Sequence, residues 1–214
     1  MKTVLLAGAC AAATLLAGAS ANAAVVFDFT PAPAHSATAG YTVVDDFSTT
    51  AGLTGVNFQI KTPPSDVNGA PPANSMPSGT PYLSVLANGS ATYTFASGVT
   101  GFEFDWGSID KYNTVAIGWD GGGMLVIPGT NFINPSDGNQ TAPGTNGLFS
   151  VVGDGGERFS SVTFSSTSNS FEVDNLAVRD AGGVPEPAVW SMMIIGFGGV
   201  GSLLRRRGAA RVAA

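Results

Sequence analysis

One cysteine and one histidine stand in the 214 residues of this chain. A Cys/His zinc centre needs three or four such ligands, and the usual nucleophilic centres need a base held beside the nucleophile, so both kinds of chemistry are excluded from the start. Charge is scarce as well: 11% of residues are charged, against roughly 25% in an ordinary soluble domain. Of the nine basic residues, Lys2, Arg205, Arg206, Arg207 and Arg211 lie near the two ends of the sequence. Only Lys61, Lys111, Arg158 and Arg179 remain among the fifteen acids that run from Asp28 to Glu186. A body so acidic repels phosphate backbones, which excludes nucleic acid as a partner. With 29 Gly and 13 Pro, long solvent-facing helices are excluded too, because both residues are poor helix formers.

What is present begins with an address. Lys2 precedes an apolar run over 4–18 and a small-x-small exit, Ala21-Asn22-Ala23-Ala24, the marks of a secretory signal peptide over 1–23. Signal peptidase is expected to recognise Ala21 and Ala23 and to cut before Ala24. Cys10 lies inside this segment; Ala7-Gly8-Ala9-Cys10 lacks the Leu usual three residues before a lipidated Cys, and only nine residues precede it. The exported chain therefore carries no disulfide framework.

Near the far end, residues 188–204 are uncharged. Seventeen residues at 1.5 Å each span about 25 Å, the short limit for a bilayer helix. Pro187 suits a helix start, Trp190 suits the headgroup layer, and Arg205, Arg206 and Arg207 mark a cytoplasmic side. These features predict one C-terminal transmembrane helix over 188–204 and a basic tail over 205–211, with the body outside the inner membrane.

Val184-Pro185-Glu186-Pro187, Trp190, Met192-Met193-Ile194-Ile195-Gly196-Phe197-Gly198-Gly199-Val200-Gly201 and the Arg cluster closely resemble the PEP-CTERM sorting signal of Gram-negative bacteria, in its variant with Trp and paired Met. The resemblance covers 185–214. It implies recognition by the integral-membrane protease-transpeptidase exosortase, a cut near Pro185-Glu186-Pro187, transient inner-membrane anchoring, and delivery to the cell envelope, outer surface or medium. Gly196, Gly198 and Gly201 also satisfy G-x-G-x-x-G, but only 13 residues follow Gly201 and none is acidic. A dinucleotide fold needs a further strand and an acidic residue there.

Between these ends, 24–180 reads as an extracytoplasmic all-β domain, a jelly-roll-like antiparallel β-sandwich, joined to the sorting signal by a Gly-rich linker at 181–184. Short β-branched and aromatic runs at 25–29, 41–47, 56–60, 82–87, 91–95, 100–106, 114–119, 124–127, 148–152, 159–165 and 170–178 alternate with turn residues. Phe102-Glu103-Phe104-Asp105-Trp106 and Phe171-Glu172-Val173-Asp174 alternate with period two, predicting a buried apolar face and a wet acidic one. Asn88-Gly89 predicts a hairpin, and 62–81, with six prolines, a long surface loop. Phe104 to Thr114 and Ser161 to Leu176 resemble, more weakly, exosortase-dependent surface proteins, a resemblance that bears on fold and location only.

Three site chemistries present themselves. Glu103 with Asp105, or Glu172 with Asp174, two apart on one strand face, could meet the carboxylate spacing of a glycosidase, although any acidic strand meets it and no substrate groove is legible; no catalytic residue is assigned. Asp45, Asp46, Glu172 and Asp174 offer oxygen ligands for a structural Ca2+ without an EF-hand or RTX pattern; no cofactor is otherwise indicated. Trp119 before Asp120-Gly121-Gly122-Gly123, with Tyr112 and Asn113, offers an aromatic platform and polar partners for a sugar. The reading that follows is a secreted surface or matrix protein, not an enzyme, with a structural or adhesive role in exopolysaccharide. The alternative is a carbohydrate-binding module, and a glycoside hydrolase stands a distant third.

Overall fold

A computed structural model describes residues 25–31, 37–73, 75–154 and 156–180. Within them, ten strands form where β-branched and aromatic residues recur: β1 (Val25–Pro31), β2 (Thr42–Asp45), β3 (Leu53–Lys61), β4 (Tyr82–Val99), β5 (Gly101–Gly107), β6 (Asn113–Trp119), β7 (Met124–Pro128), β8 (Gly147–Gly153), β9 (Phe159–Ser166) and β10 (Phe171–Arg179). All pairings among them are antiparallel. The only helical segments described are single 3-10 turns at Gly129–Asn131 and Pro143–Thr145.

The hydrogen-bonded path β1-β8-β5-β10-β4-β9-β6-β7 is continuous, yet it curls into two facing layers because of one ribbon. The first half of β4 pairs with β10 through Leu83 to Val85. The second half pairs with β9 from Gly89 onward. β3 follows β4 across the bend, from Tyr82 to Tyr93, slipping register between Val56 and Phe58. At the bend, Asn57 has φ 51° and Asn88 has φ 56°, left-handed values that Asn tolerates better than other side chains. A Cβ on Gly89 would meet the Asn57 carbonyl oxygen and would lie 2.7 Å from that of Leu86, so the crossing admits only glycine there. The expected Asn-Gly hairpin is thus corrected: the two runs flanking it are one strand passing from layer to layer, paired with β3 rather than with each other.

The apolar alternation fills the space between the layers. Phe104 of β5 stacks on Phe149 of β8 at 4.8 Å and meets Phe164 of β9 edge-on at 5.0 Å. Phe102 meets Phe159 of β9 at 5.6 Å, and Trp106 stacks on Phe171 at 4.6 Å. This is the expected antiparallel jelly-roll-like sandwich.

The other half of the expected fold class, one C-terminal transmembrane helix, is overturned. Among the described residues no helix is long and apolar enough to cross a membrane, and residues 188–204, on which the expectation rested, lie outside them. The physical weakness of that run is its length and composition: it is at the short limit of a span, and Gly196, Gly198, Gly199 and Gly201 add no apolar side chain to it.

Candidate functional site

Two places gather polar side chains. The first is the outer face of β5 and β10, where alternation puts Glu103, Asp105, Glu172 and Asp174 as expected. Instead of being wet, these carboxylates are no more than 2% exposed. Asp174 lies directly opposite Asp105 in the β10/β5 register, a position that brings Cβ atoms to about 5 Å. The proline-rich segment 62–81 crosses this face as a strap and ties itself to the acids. The Ser75 hydroxyl donates to Asp174, as does Thr80 Oγ1 at 3.3 Å, and the Ala70 N–H donates to Glu172 at 3.4 Å. From the sheet side, Ser108 and Ser170 donate to Glu172, and Asn175 Nδ2 donates to Asp105 at 2.9 Å and to the Met76 carbonyl at 2.9 Å. The Thr38 N–H donates to Glu103 at 2.6 Å.

Burial disfavours charge here. It pushes Asp105 up to about 7 against the Asn175 hydrogen bond, with the charges of Asp174 and Glu103 adding to the rise. Burial likewise pushes Asp174 to about 6, opposed by Ser75, and raises Glu172, opposed by Ser108 and Ser170. A cavity of about 150 Å³ remains between the strap and Asp174, lined by prolines and by Ser75 and Thr80. Acids roofed in this way do not meet a glycosidic bond, so the arrangement braces the strap rather than performing hydrolysis.

The second place is open. Between β2 in one layer and the second half of β4 in the other, the layers part into a groove of about 560 Å³, lined by Val43, Val44, Asp45, Asp46, Ser48 and Tyr93 among others. Val44 and Tyr93 also line an adjoining recess of about 190 Å³ that ends at Val178 and Asp180. Tyr93 is partly exposed, and its ring is backed by Phe95 at 5.6 Å, which in turn packs on core Phe102 at 5.4 Å. A Cβ on Gly52, where φ is 82°, would come within 3.1 Å of Tyr93 Cε2; glycine leaves the ring its place. Val43 and Val44 are exposed on the wall.

The turn after β2 is fixed by its own aspartates. Asp45 accepts from the Phe47 N–H at 2.7 Å and Asp46 from the Ser48 N–H at 3.0 Å. Phe47, at φ 51°, is fully buried and meets Phe164 edge-on at 6.5 Å, which anchors the turn in the core. Hydrogen bonds from the Ser48 side chain and backbone hold Asp46 below the usual carboxylate range, whereas burial raises Asp45. A further groove of about 500 Å³ beside Asp110 and Asp137 has no aromatic lining.

The residues singled out in the sequence distribute as follows. Tyr112 and Asn113 stand at one end of β6 and Trp119 and Asp120 at the other, about 20 Å away at 3.3 Å per residue. Asn113 is fully buried, its amide donating to Ser166 and the Ser170 carbonyl and its oxygen accepting from the Asp110 N–H. Tyr112 donates to the Asn169 carbonyl at 2.7 Å. Trp119 lies against Gly123, where a Cβ would collide with the indole, and the Asp120 N–H donates to the Arg158 carbonyl. The four are not brought together. Of the acids considered for Ca2+, Asp45 and Asp46 line the groove, while Glu172 and Asp174 lie beneath the strap. Among the described residues no three His, Cys, Asp or Glu side chains are placed to hold a metal. Pro185, Glu186, Pro187, Trp190 and Arg205 to Arg207, with Ala21, Ala23 and Ala24, lie outside the described residues.

Tyr93 does not stand out in the sequence, because Thr92-Tyr93-Thr94-Phe95 reads only as a strand. The signal that could have found it is the pairing of its partly polar run with the hydroxyl-rich turn Asp45-Asp46-Phe47-Ser48-Thr49-Thr50.

No family model matches the chain, and no curated protein matches it. Among solved structures it is similar to a family 6 carbohydrate-binding module from Clostridium stercorarium in complex with cellobiose, at 15% identity over 66% of this chain and 93% of that one, with TM-score 0.34. It is similar to a family 11 module from Clostridium thermocellum in complex with a β-1,3-1,4-mixed-linked tetrasaccharide, at 18% identity over 68% and 98%, with TM-score 0.31. The enzymatically active domain of tailspike protein 4 of bacteriophage CBA120 is matched at 13% identity over 62% of this chain but only 20% of that one, with TM-score 0.35.

Proposed function

We propose that this chain is an exported, non-catalytic polysaccharide-binding domain of the cell surface or extracellular matrix, with the Tyr93 groove as its binding site. The observation that carries this is the groove itself: a rigidly backed aromatic ring on its floor, exposed Val43 and Val44 beside it, and Asp46, Ser48 and Thr49 on the rim. A sugar ring offers an apolar C–H face to an aromatic and a ring of hydroxyls to acceptors and donors, and both halves of that demand are met within one opening. Binding there would make the protein adhesive within exopolysaccharide.

Tyr93→Ala is expected to weaken polysaccharide binding by tenfold or more, since an aromatic contact contributes about 0.5–1.5 kcal/mol beyond the area it buries. Affinity electrophoresis against exopolysaccharide reads this directly. Retained binding in Tyr93→Ala, with loss in Trp119→Ala, would move the site two strands across, from β4 to the end of β6.

Export through exosortase rests on the sequence at the two ends. Intact mass of the native protein in its host is expected to show loss of about 23 N-terminal residues and of the segment beyond Pro185-Glu186-Pro187, the second loss being blocked by Glu186→Ala. A C-terminus still at Ala214 in the unmutated protein overturns the sorting route and leaves the groove reading untouched.

A further inference from the structure

The groove carries charge of one sign. Asp45 and Asp46 line its main chamber and Asp180 the end of its recess, and neither lining contains Lys or Arg. The four basic side chains of the body have other neighbours: the Arg179 guanidinium lies 5.8 Å from the Tyr41 ring centroid, Arg158 donates to the Gly98 carbonyl at 3.3 Å, Lys61 pairs with Asp66, and Lys111 lines the separate groove beside Asp110 and Asp137. Asp46 and Asp180 are exposed, and Asp46 stands on the rim a few residues from Ser48 and Thr49.

Resting on the polysaccharide-binding reading, we infer that this groove selects an amino sugar whose nitrogen is free and protonated, and that it rejects uronate-bearing polymers. A sugar ring laid on Tyr93 presents its substituents to the rim. An ammonium there supplies three hydrogen-bond donors to a carboxylate that can only accept, and a charge-assisted bond is about twice as strong as a neutral one. N-acetylation removes the charge and leaves a single donor. A uronate brings a like charge against three carboxylates with no cation in the lining to offset it, the arrangement by which sites exclude wrong partners.

Calorimetric titration of the full chain with three β-linked oligomers of equal length tests this: glucosamine, N-acetylglucosamine and a uronic acid. The free amine is expected to bind at least tenfold more tightly than its acetylated counterpart at low ionic strength, and the uronate to show no binding. Salt should narrow the first difference as the Debye length contracts. Asp46→Asn, which keeps an acceptor for the Ser48 N–H, should abolish the preference without abolishing binding, while Tyr93→Ala should weaken both amino-sugar oligomers. Equal binding of the acetylated oligomer, or binding of the uronate, overturns the charge selection and leaves the groove as a sugar site. Binding that survives Tyr93→Ala unchanged overturns the groove reading itself, and absence of binding to all three overturns both.

Discussion

Raising the pH from 5 to 8 is expected to lower the melting temperature by about 10 °C, the reverse of what solvent-exposed, salt-bridged acids would give. Asp105 and Asp174 are pushed up to about 7 and about 6 by burial beneath the strap, so the folded state holds protons that the unfolded chain has already released. Stability then falls with pH across the window from the ordinary Asp value to those raised ones. A tenfold difference in proton affinity between folded and unfolded chain is worth about 1.4 kcal/mol, and the part falling between pH 5 and 8 comes to about 4 kcal/mol for the two groups together. At 2–4 °C per kcal/mol for a chain of this size, that is about 10 °C. The two carboxyls face each other in register, so their protons leave in steps belonging to the pair. Asp105→Asn, which still accepts from Asn175, is expected to stabilise at pH 8 by roughly 2–4 kcal/mol and to flatten the profile. Thermal melts of both proteins across this range check it; a wild-type melting temperature that rises with pH sinks the account.

Phe104→Ala should cost about 3–5 kcal/mol, the usual range for emptying a buried aromatic site. Phe104 is fully buried and touches Phe149 and Trp106 in its own layer and Phe164 across the core. No single neighbour can collapse into the space, because the rings around it are held from both layers. Phe104→Leu, which keeps most of the volume, should cost less than half as much. Trp106→Phe makes a useful contrast: the indole N–H is buried without a hydrogen-bond partner, so its removal gives up ring volume but no bond. Urea midpoints at constant m read all three, and a Phe104→Ala midpoint within error of the wild type would refute the two-layer core.

The strand positions are legible in the sequence because alternation and turn residues are local signals. Period two at Phe102 to Trp106 and Phe171 to Asp174 correctly separates core from outer face. It cannot say what lies over the outer face, since burial of Glu172 and Asp174 depends on the 62–81 segment, and Glu103 is met by the Thr38 N–H, all far from these strands in sequence. The hydroxyls of Ser108 and Ser170 on buried positions, both donating to Glu172, are the legible trace, as satisfied buried acids need donors. Asn88-Gly89 reads as a hairpin because its backbone preference is real; whether a left-handed pair closes a turn or bends a ribbon is decided by β3 alongside it. Closeness in sequence points to a sugar site on β6, but a seven-residue strand separates its ends, while Tyr93 and Asp46 come to line one groove only through the curl of the sheet.

The last described strand has a mechanical consequence. β10 is hydrogen-bonded on both flanks, to β5 on one side and to β4 and β2 on the other, and its end, Val178 to Asp180, also walls the recess beside Tyr93. On the polysaccharide-binding proposal, tension between a polymer held in the groove and an attachment of the chain beyond residue 180 would run through a few residues at one end of the molecule. It would enter β10 at the end where Val178 pairs with β2 and β5, and leave the edge strands β1 and β7 outside the line of force.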